Sequence, residues 1–489
     1  MKCNPKHLAL LVPAVATALL LAACATNPVT GKSDFVLMSE EQEISLGRRY
    51  SSEIVKQMPV YEDPQLADLV QRVGEQLASH SHRPDLYYRF TVLDSTTVNA
   101  FALPGGYIYI TRGMLAYLNS EAELAAVLGH EIGHVTARHS VRQQSTSTMT
   151  DLLGAVISVS TGIQGIDSLT NMAGTAIVRG YGREHELEAD RLGAEYLAKS
   201  GYDPDAMLEV VGVLKNQETF EVAVAKQEGR TPNVYHGLFS THPDNDARFK
   251  EVVSAARKYK TGTTTVIGRE RFLHALDGLT FGDSAREGVV RGNRYFHSDL
   301  DFALTFPQGW RIDNKASKIV AVPKANDGLV QMTLADLNKR ITPRAFMQQR
   351  MGLRNLRQGK SFSSGGLEGY SAIADGKTPW GTRPVRYVVV YRGSHAYIFA
   401  GAAKNRSNPM QYDAAILATA NSFHPLGSAE RALASGQRLD IIRAGHGTRY
   451  ADLARKSPIA NYPEQRLRLL NDQYPDGEPA TRQLLKVVR

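Results

Sequence analysis

At 489 residues the chain is too long for one ordinary hydrophobic core, and two or three domains are expected. Its formal net charge of +8 is mild, and no compact basic stripe with interleaved aromatics argues for nucleic acid as a partner. A solvated surface compatible with anionic envelope polymers is the more natural reading of that charge.

The N-terminus reads as an address. Met1 to His7 form a basic region, Leu8 to Leu21 an apolar one, and Leu21-Ala22-Ala23-Cys24 looks like a bacterial lipoprotein signal (residues 1–23), with lipid attached at Cys24. Pro13 breaks the short apolar run, which argues against a permanent membrane span. Loss of Cys3 and acylation of Cys24 would use both cysteines, so the mature chain would build no disulfide. Ala25, rather than Asp, follows the lipidated position, which points to an anchor in the outer membrane of a Gram-negative bacterium, facing the periplasm.

After a tether at 24–38, Ser39 with Gln42 predicts a capped helix through Gln57. A strand is expected around Phe90 to Asp94. Pro104-Gly105-Gly106 then marks a turn, and Tyr107 to Thr111 a short β-branched and aromatic strand. Because that strand directly precedes the helix described next, Gly106, Tyr107, Ile108 and Tyr109 are expected to form a rim strand that pairs with an extended substrate.

Gly129-His130-Glu131-Ile132-Gly133-His134 is an H-E-x-x-H pattern within a helix that Ser120 and Glu123 cap. Two imidazoles four residues apart lie about 40° apart around a helix, so both can reach one metal ion. Leu124, Val127, Leu128, Ile132 and Val135 make an apolar stripe; Ala126, Gly129, Gly133 and Ala137 make a small-residue face. A helix with so few bulky polar residues belongs in an interior. The pattern is a zinc protease signature, and a catalytic zinc needs a third protein ligand while leaving a position open to water. His139, nine residues after His130, falls about 180° away on the same helix and is a poor candidate. Glu184-His185-Glu186-Leu187-Glu188-Ala189-Asp190, on a second helix ending near Gly201, is the better supply. Glu186 and Asp190 share a face, so one could ligate and the other orient a histidine, but spacing alone does not choose among the acidic residues. Between the two helices, Leu152 to Ile166 is free of charge and, with Leu169 to Val178, is expected to form a helical hairpin or lid.

Farther along, 263–285 reads as a linker and 286–428 as an α+β accessory domain, with strands at Asp301 to Pro307, Val385 to Tyr391 and Ala396 to Ala400. Residues 429–489, with Arg443-Ala444-Gly445-His446-Gly447-Thr448, are similar to a LysM-like strand, two helices and a strand, which makes peptidoglycan a candidate partner.

His130-Glu131-Ile132-Gly133-His134, Glu186-Leu187-Glu188-Ala189-Asp190 (E-x-x-A-D), the block from Asn99 to Gly106, and Ser240-Thr241-His242-Pro243 together resemble metallopeptidase family forty-eight, the HtpX/BepA/LoiP and CAAX prenyl endopeptidase family. Asn27-Pro28-Val29-Thr30-Gly31-Lys32 is similar to its periplasmic lipoprotein branch. The resemblance covers about Asn27 to Lys260 and implies a mainly helical gluzincin-type domain with a small sheet (39–262), within a chain of α+β class. It also implies one Zn²⁺ held by His130, His134 and Glu186, with Asp190 behind a ligand. His242 would be an oxyanion donor or a latent fourth ligand, and Arg248 would brace its loop.

Two neutral imidazoles and one carboxylate leave net positive charge at the open position, where a water pKa can fall from about 15.7 to about 7. Glu131, beside a ligand, would take the water's proton and pass it to the leaving amine. The expectation is a periplasmic, lipid-anchored zinc metalloendopeptidase acting on misfolded or stalled envelope proteins. The alternative is a latent metal-binding chaperone or wall-associated scaffold.

Overall fold

The computed structural model describes residues 24–145, 182–230, 232, 250, 253–259, 265–315, 318–364 and 366–489. The expected signal segment, the lid, His242 and Arg248 lie outside them. Two compact units emerge: Met1–Leu279 together with Leu439–Arg489, and Thr280–Arg438. The second is thus inserted into the sequence of the first.

The first unit begins with strands β1 (Cys24–Thr26) and β2 (Ser33–Phe35), paired antiparallel in place of the expected tether. The reason is local. The buried Asn27 side chain accepts from the backbone N–H groups of Val29 and Thr30, and Gly31 takes the left-handed conformation that closes the turn. Helix α1 (Glu40–Gln57) starts at a capping box of Ser39 and Gln42, as the spacing predicts. Helix α2 (Pro64–Ala78) follows, capped by Asp63.

A three-stranded sheet comes next: β3 (Arg89–Leu93), β4 (Ala100–Leu103) and β5 (Tyr107–Thr111), in the order β3-β5-β4. β3 runs parallel to β5, and β4 antiparallel. The far side of β3 is covered by Pro59 and Tyr61, which bond to Asp94 and Val92 through the backbone. Strand β5 is therefore the middle of the sheet, and the expectation that Gly106, Tyr107, Ile108 and Tyr109 form its rim is corrected: among the described residues the open edge is β4. All five residues of β5 are buried, as befits a strand flanked on both sides.

Helices α3 (Arg112–Tyr117) and α4 (Glu121–Thr136) continue from β5, and α4 is buried along its whole length. Its cap is a variant of the predicted box: Ser120 accepts from the Glu123 N–H, while the Glu123 carboxylate reaches back to the N–H of Asn119. Helices α5 (Arg183–Lys199) and α6 (Ala206–Glu228) complete the unit's helical layer, with α7 (Arg269–Ala275) closing its first segment. No helix among the described residues is long and apolar enough to cross a membrane.

In the second unit a seven-stranded antiparallel sheet and a four-stranded one carry several side-chain clusters, two of them on the large sheet's opposite faces. Val388 belongs to the cluster with Phe399, Ile416 and Phe423, and its neighbour Val389 to the cluster with Phe346 and Met347. Consecutive residues of a strand face opposite ways, so the large sheet is covered on both faces.

Residues 439–489 hold a strand, two short helices (Tyr450–Ala454 and Pro463–Leu470) and a strand (Leu484–Val488) antiparallel to the first. That order does not by itself identify a LysM module, and the segment is packed into the first unit rather than standing apart. Its fastening is Lys486, fully buried, whose ammonium donates to the carbonyls of Ala116 and Leu118 at the end of α3. Burial pushes the lysine pKa down, with Glu123 opposing. Replacing Lys486 by Met leaves two buried acceptors without that donor, so we expect about 2 kcal/mol less stability in urea unfolding; an unchanged midpoint would show that the lysine contributes nothing to this closure.

Candidate metal centre

The site is built where α4 and α5 cross. Their contact is made by residues without bulk: a Cβ added to Gly133 would meet the Ala189 carbonyl oxygen at 2.8 Å, and one added to Gly193 would meet the His130 backbone nitrogen at 2.9 Å. Gly129 faces Leu197 and the Gly193 carbonyl. The small-residue face of the motif helix is therefore its docking surface for α5, and close approach of the backbones brings the α5 side chains to the two histidines.

Three side chains converge. The Nε2 atoms of His130 and His134 lie 3.0 Å apart, and Glu186 Oε2 lies 3.4 Å from the first and 3.8 Å from the second. Donors about 2.0–2.1 Å from a tetrahedral zinc stand roughly 3.3 Å from each other, so these separations fit a metal position with His, His and Glu ligands. Among the described residues this is the one group of His, Cys, Asp and Glu placed to hold an ion. The two histidines are buried and Glu186 nearly so.

Behind the ligands, His130 Nδ1 lies 2.8 Å from Asp190 Oδ1. Burial disfavours the charged form of His130, but Asp190 and Glu186 overcome it and raise its pKa. The carboxylates that favour a proton on this ring favour a metal cation equally well. His134 is driven the other way by burial and by its histidine neighbours, which keeps it neutral. Glu131 is 3% exposed, and its carboxyl is pushed up to about 7 by burial, with Glu186 adding to the rise and His130 and the Ala102 backbone hydrogen bond opposing it. Since Ala102 belongs to β4, the open edge of the sheet faces the carboxylate of the motif.

His139 is the residue that the helical wheel misplaces. Helix α4 ends at Thr136, Arg138 adopts a left-handed φ of 55°, and the chain resumes helical form from His139. That break swings His139 back, so that its Nδ1 lies 2.8 Å from His134 Nδ1 while its Nε2 lies 3.1 Å from Glu188 Oε2. Arg138 is pinned in the turn by the buried Glu43 carboxylate, which also accepts from Arg83. The sequence signal that could have found His139 is the motif's own end: a helix that stops at Thr136 cannot carry a wheel to residue 139.

Residues 64–256 match the profile of Peptidase family M48. Over that stretch the chain is similar to the M48 peptidases. The beta-barrel assembly-enhancing protease of Escherichia coli (strain K12) is 30% identical over 244 residues, 48% of each chain. The putative beta-barrel assembly-enhancing protease of Vibrio cholerae is 31% identical over 232 residues, 45% of each. The mitochondrial metalloendopeptidase OMA1 of Arabidopsis thaliana is 30% identical over 202 residues, 39% of this chain and 38% of that one. The chain thus spans about half the length of the first of these relatives. The M48 match contains both motif helices, and the segment 439–489 and the second unit lie beyond it.

If the glycine contacts between α4 and α5 set the spacing of His130, His134 and Glu186, Gly193→Ala should force the two helices apart. We expect a stability loss of about 1–3 kcal/mol with weaker metal binding, read by urea unfolding and chelator competition; a variant that binds metal as wild type does would refute the link.

Proposed function

We propose that this protein is a zinc-dependent metalloendopeptidase of the bacterial periplasm, held to the outer membrane by lipid on Cys24, that cleaves misfolded or stalled envelope proteins. The observation that carries the reading is the convergence of His130, His134 and Glu186 on one position, with the buried carboxylate of Glu131 beside it, inside the stretch similar to the M48 peptidases. Relatives named as proteases and metalloendopeptidases support peptide bonds as the target. The resemblance of residues 1–23, before Cys24, to a lipoprotein signal supports the location, and the relatives named for β-barrel assembly support envelope proteins as substrates.

Zinc, when bound, supplies Lewis acidity toward a water and toward the scissile carbonyl. The protein's share is placement and proton transfer. Glu131, its pKa raised by burial to about 7, takes a proton from the attacking water and returns it to the leaving amine. Its hydrogen bond with the Ala102 backbone holds the carboxylate toward the ligands. The open edge at Ala100–Leu103, rather than Tyr107–Thr111, offers main-chain groups to an extended peptide. By resemblance to M48 peptidases, His242 would serve as a second oxyanion donor or as a latent fourth ligand, with Arg248 bracing its loop.

The test uses the purified full chain. Wild type should contain about one zinc and degrade casein; Glu131→Gln should keep the metal and lose activity by at least about 100-fold. Retained turnover would remove Glu131 from the mechanism, and zinc without cleavage in wild type would favour a latent metal-binding chaperone.

A further inference from the structure

The two histidine ligands are backed differently. His130 is oriented by a carboxylate in direct contact, whereas His134 meets another imidazole, and only behind that imidazole does a carboxylate appear. The end of this second line is Arg142, whose guanidinium donates to the same Glu188 oxygen at 3.0 Å and also pairs with Asp34 of the β1–β2 hairpin at 3.3 Å. His185 stacks on the His139 ring, with centroids 4.3 Å apart and planes 18° from parallel, which fixes the plane in which the relay lies.

An imidazole that gives its Nε2 lone pair to a metal carries its hydrogen on Nδ1. For His134 that hydrogen points at His139 Nδ1, which must then be the acceptor, so His139 carries its own hydrogen on Nε2 and donates it to Glu188. The guanidinium of Arg142 can only donate, so Glu188 must accept at the far end. Every hydrogen in the line is therefore assigned in one direction, and the assignment leaves the His134 Nε2 lone pair facing His130 Nε2 and Glu186.

We propose that His139 and Glu188 are positioning residues of the metal centre, holding His134 in the tautomer and ring orientation that present Nε2 to the metal, as Asp190 does for His130. The inference rests on the metal-centre reading above and deepens it. His139 is not a ligand: its Nδ1 faces His134 and its Nε2 faces Glu188. The two-step line also explains why E-x-E-A-D carries an acidic residue between Glu186 and Asp190. Glu186 ligates, Asp190 orients one histidine directly, and Glu188, rotated round the helix, orients the other through His139.

The experiment compares the full chain with His139→Phe, which keeps the stacked ring and deletes both nitrogens, and with Glu188→Gln, which keeps shape and removes the charge. Zinc affinity is measured by chelator competition, and the cobalt-substituted proteins are studied by proton NMR, where ring N–H groups of ligating histidines are hyperfine-shifted and their exchange with water reports each hydrogen bond. Wild type should show two protected N–H signals. In His139→Phe we expect zinc to bind about 10–100-fold more weakly and one N–H signal to be lost to exchange while the other persists; Glu188→Gln should change both readouts in the same direction by less. Wild-type affinity with both signals protected in His139→Phe would overturn the proposal and leave the metal centre standing. Failure of wild type to take up metal would overturn both readings. If His139→Phe does not fold, Glu188→Gln decides, because its side chain is at the rim of the site, 17% exposed, and unchanged affinity and exchange there would equally refute the relay.

Discussion

The structure depends on one close approach, that of the α4 backbone to the α5 backbone at Gly129, Gly133, Ala189 and Gly193. Side chains at a helix crossing ordinarily hold axes about 8–10 Å apart. Here, Gly133 and Gly193 each leave no room for a Cβ, and His130 of one helix lies within hydrogen-bond range of Asp190 on the other. The consequence is electrostatic as well as steric. Glu131, Glu186 and Asp190 are gathered around two imidazoles in a nearly dry interior, and burying such a group is costly unless opposite charge compensates it. Protonation of His130 is one form of compensation, and a divalent cation is the stronger one. The same packing that builds the site therefore suits it to a cation.

Much of this is legible in the sequence. Four-residue spacing places His130 and His134 on one face, the same spacing places Glu186 with Asp190, and the run of small residues marks a face for close packing. Each of these is a property of a single helix, readable from period alone. Properties that depend on where an element stops, or on what lies beside it, are not readable in this way. The wheel puts His139 opposite His130 only by extending α4 past Thr136; the left-handed Arg138, held by Glu43 from a distant helix, is a tertiary fact. Strand β5 reads as a rim strand because it precedes the motif, yet Tyr107-Ile108-Tyr109-Ile110-Thr111 lacks the apolar-polar alternation of an edge and is buried throughout. The absent alternation is the signal of a central strand.

The C-terminal residues show the same limit from another side. A strand, two helices and a strand can be read from 439–489, but not that Lys486 buries its ammonium among the carbonyls that close α3. A lysine in a strand reads as solvated, and only the tertiary partner makes burial tolerable. Because the chain leaves the first unit at Leu279 and re-enters it at Leu439, completing that unit requires residues far apart in sequence. The M48 match at 64–256 therefore names the part with the chemistry without delimiting the part that packs together.

The place of β5 in the sheet also tightens the chemistry. With β5 in the middle, the strand left open is β4, and the backbone of its Ala102 is hydrogen-bonded to Glu131. One strand then serves two purposes on the proposed reading: it offers main-chain groups to an extended peptide and it fixes the carboxylate that moves the proton. A peptide laid along β4 would be registered against the same backbone that registers the base, so the distance from scissile carbonyl to Glu131 would be set by strand geometry rather than by a flexible side chain. That is how a buried acid can be held to the tolerance that proton transfer demands.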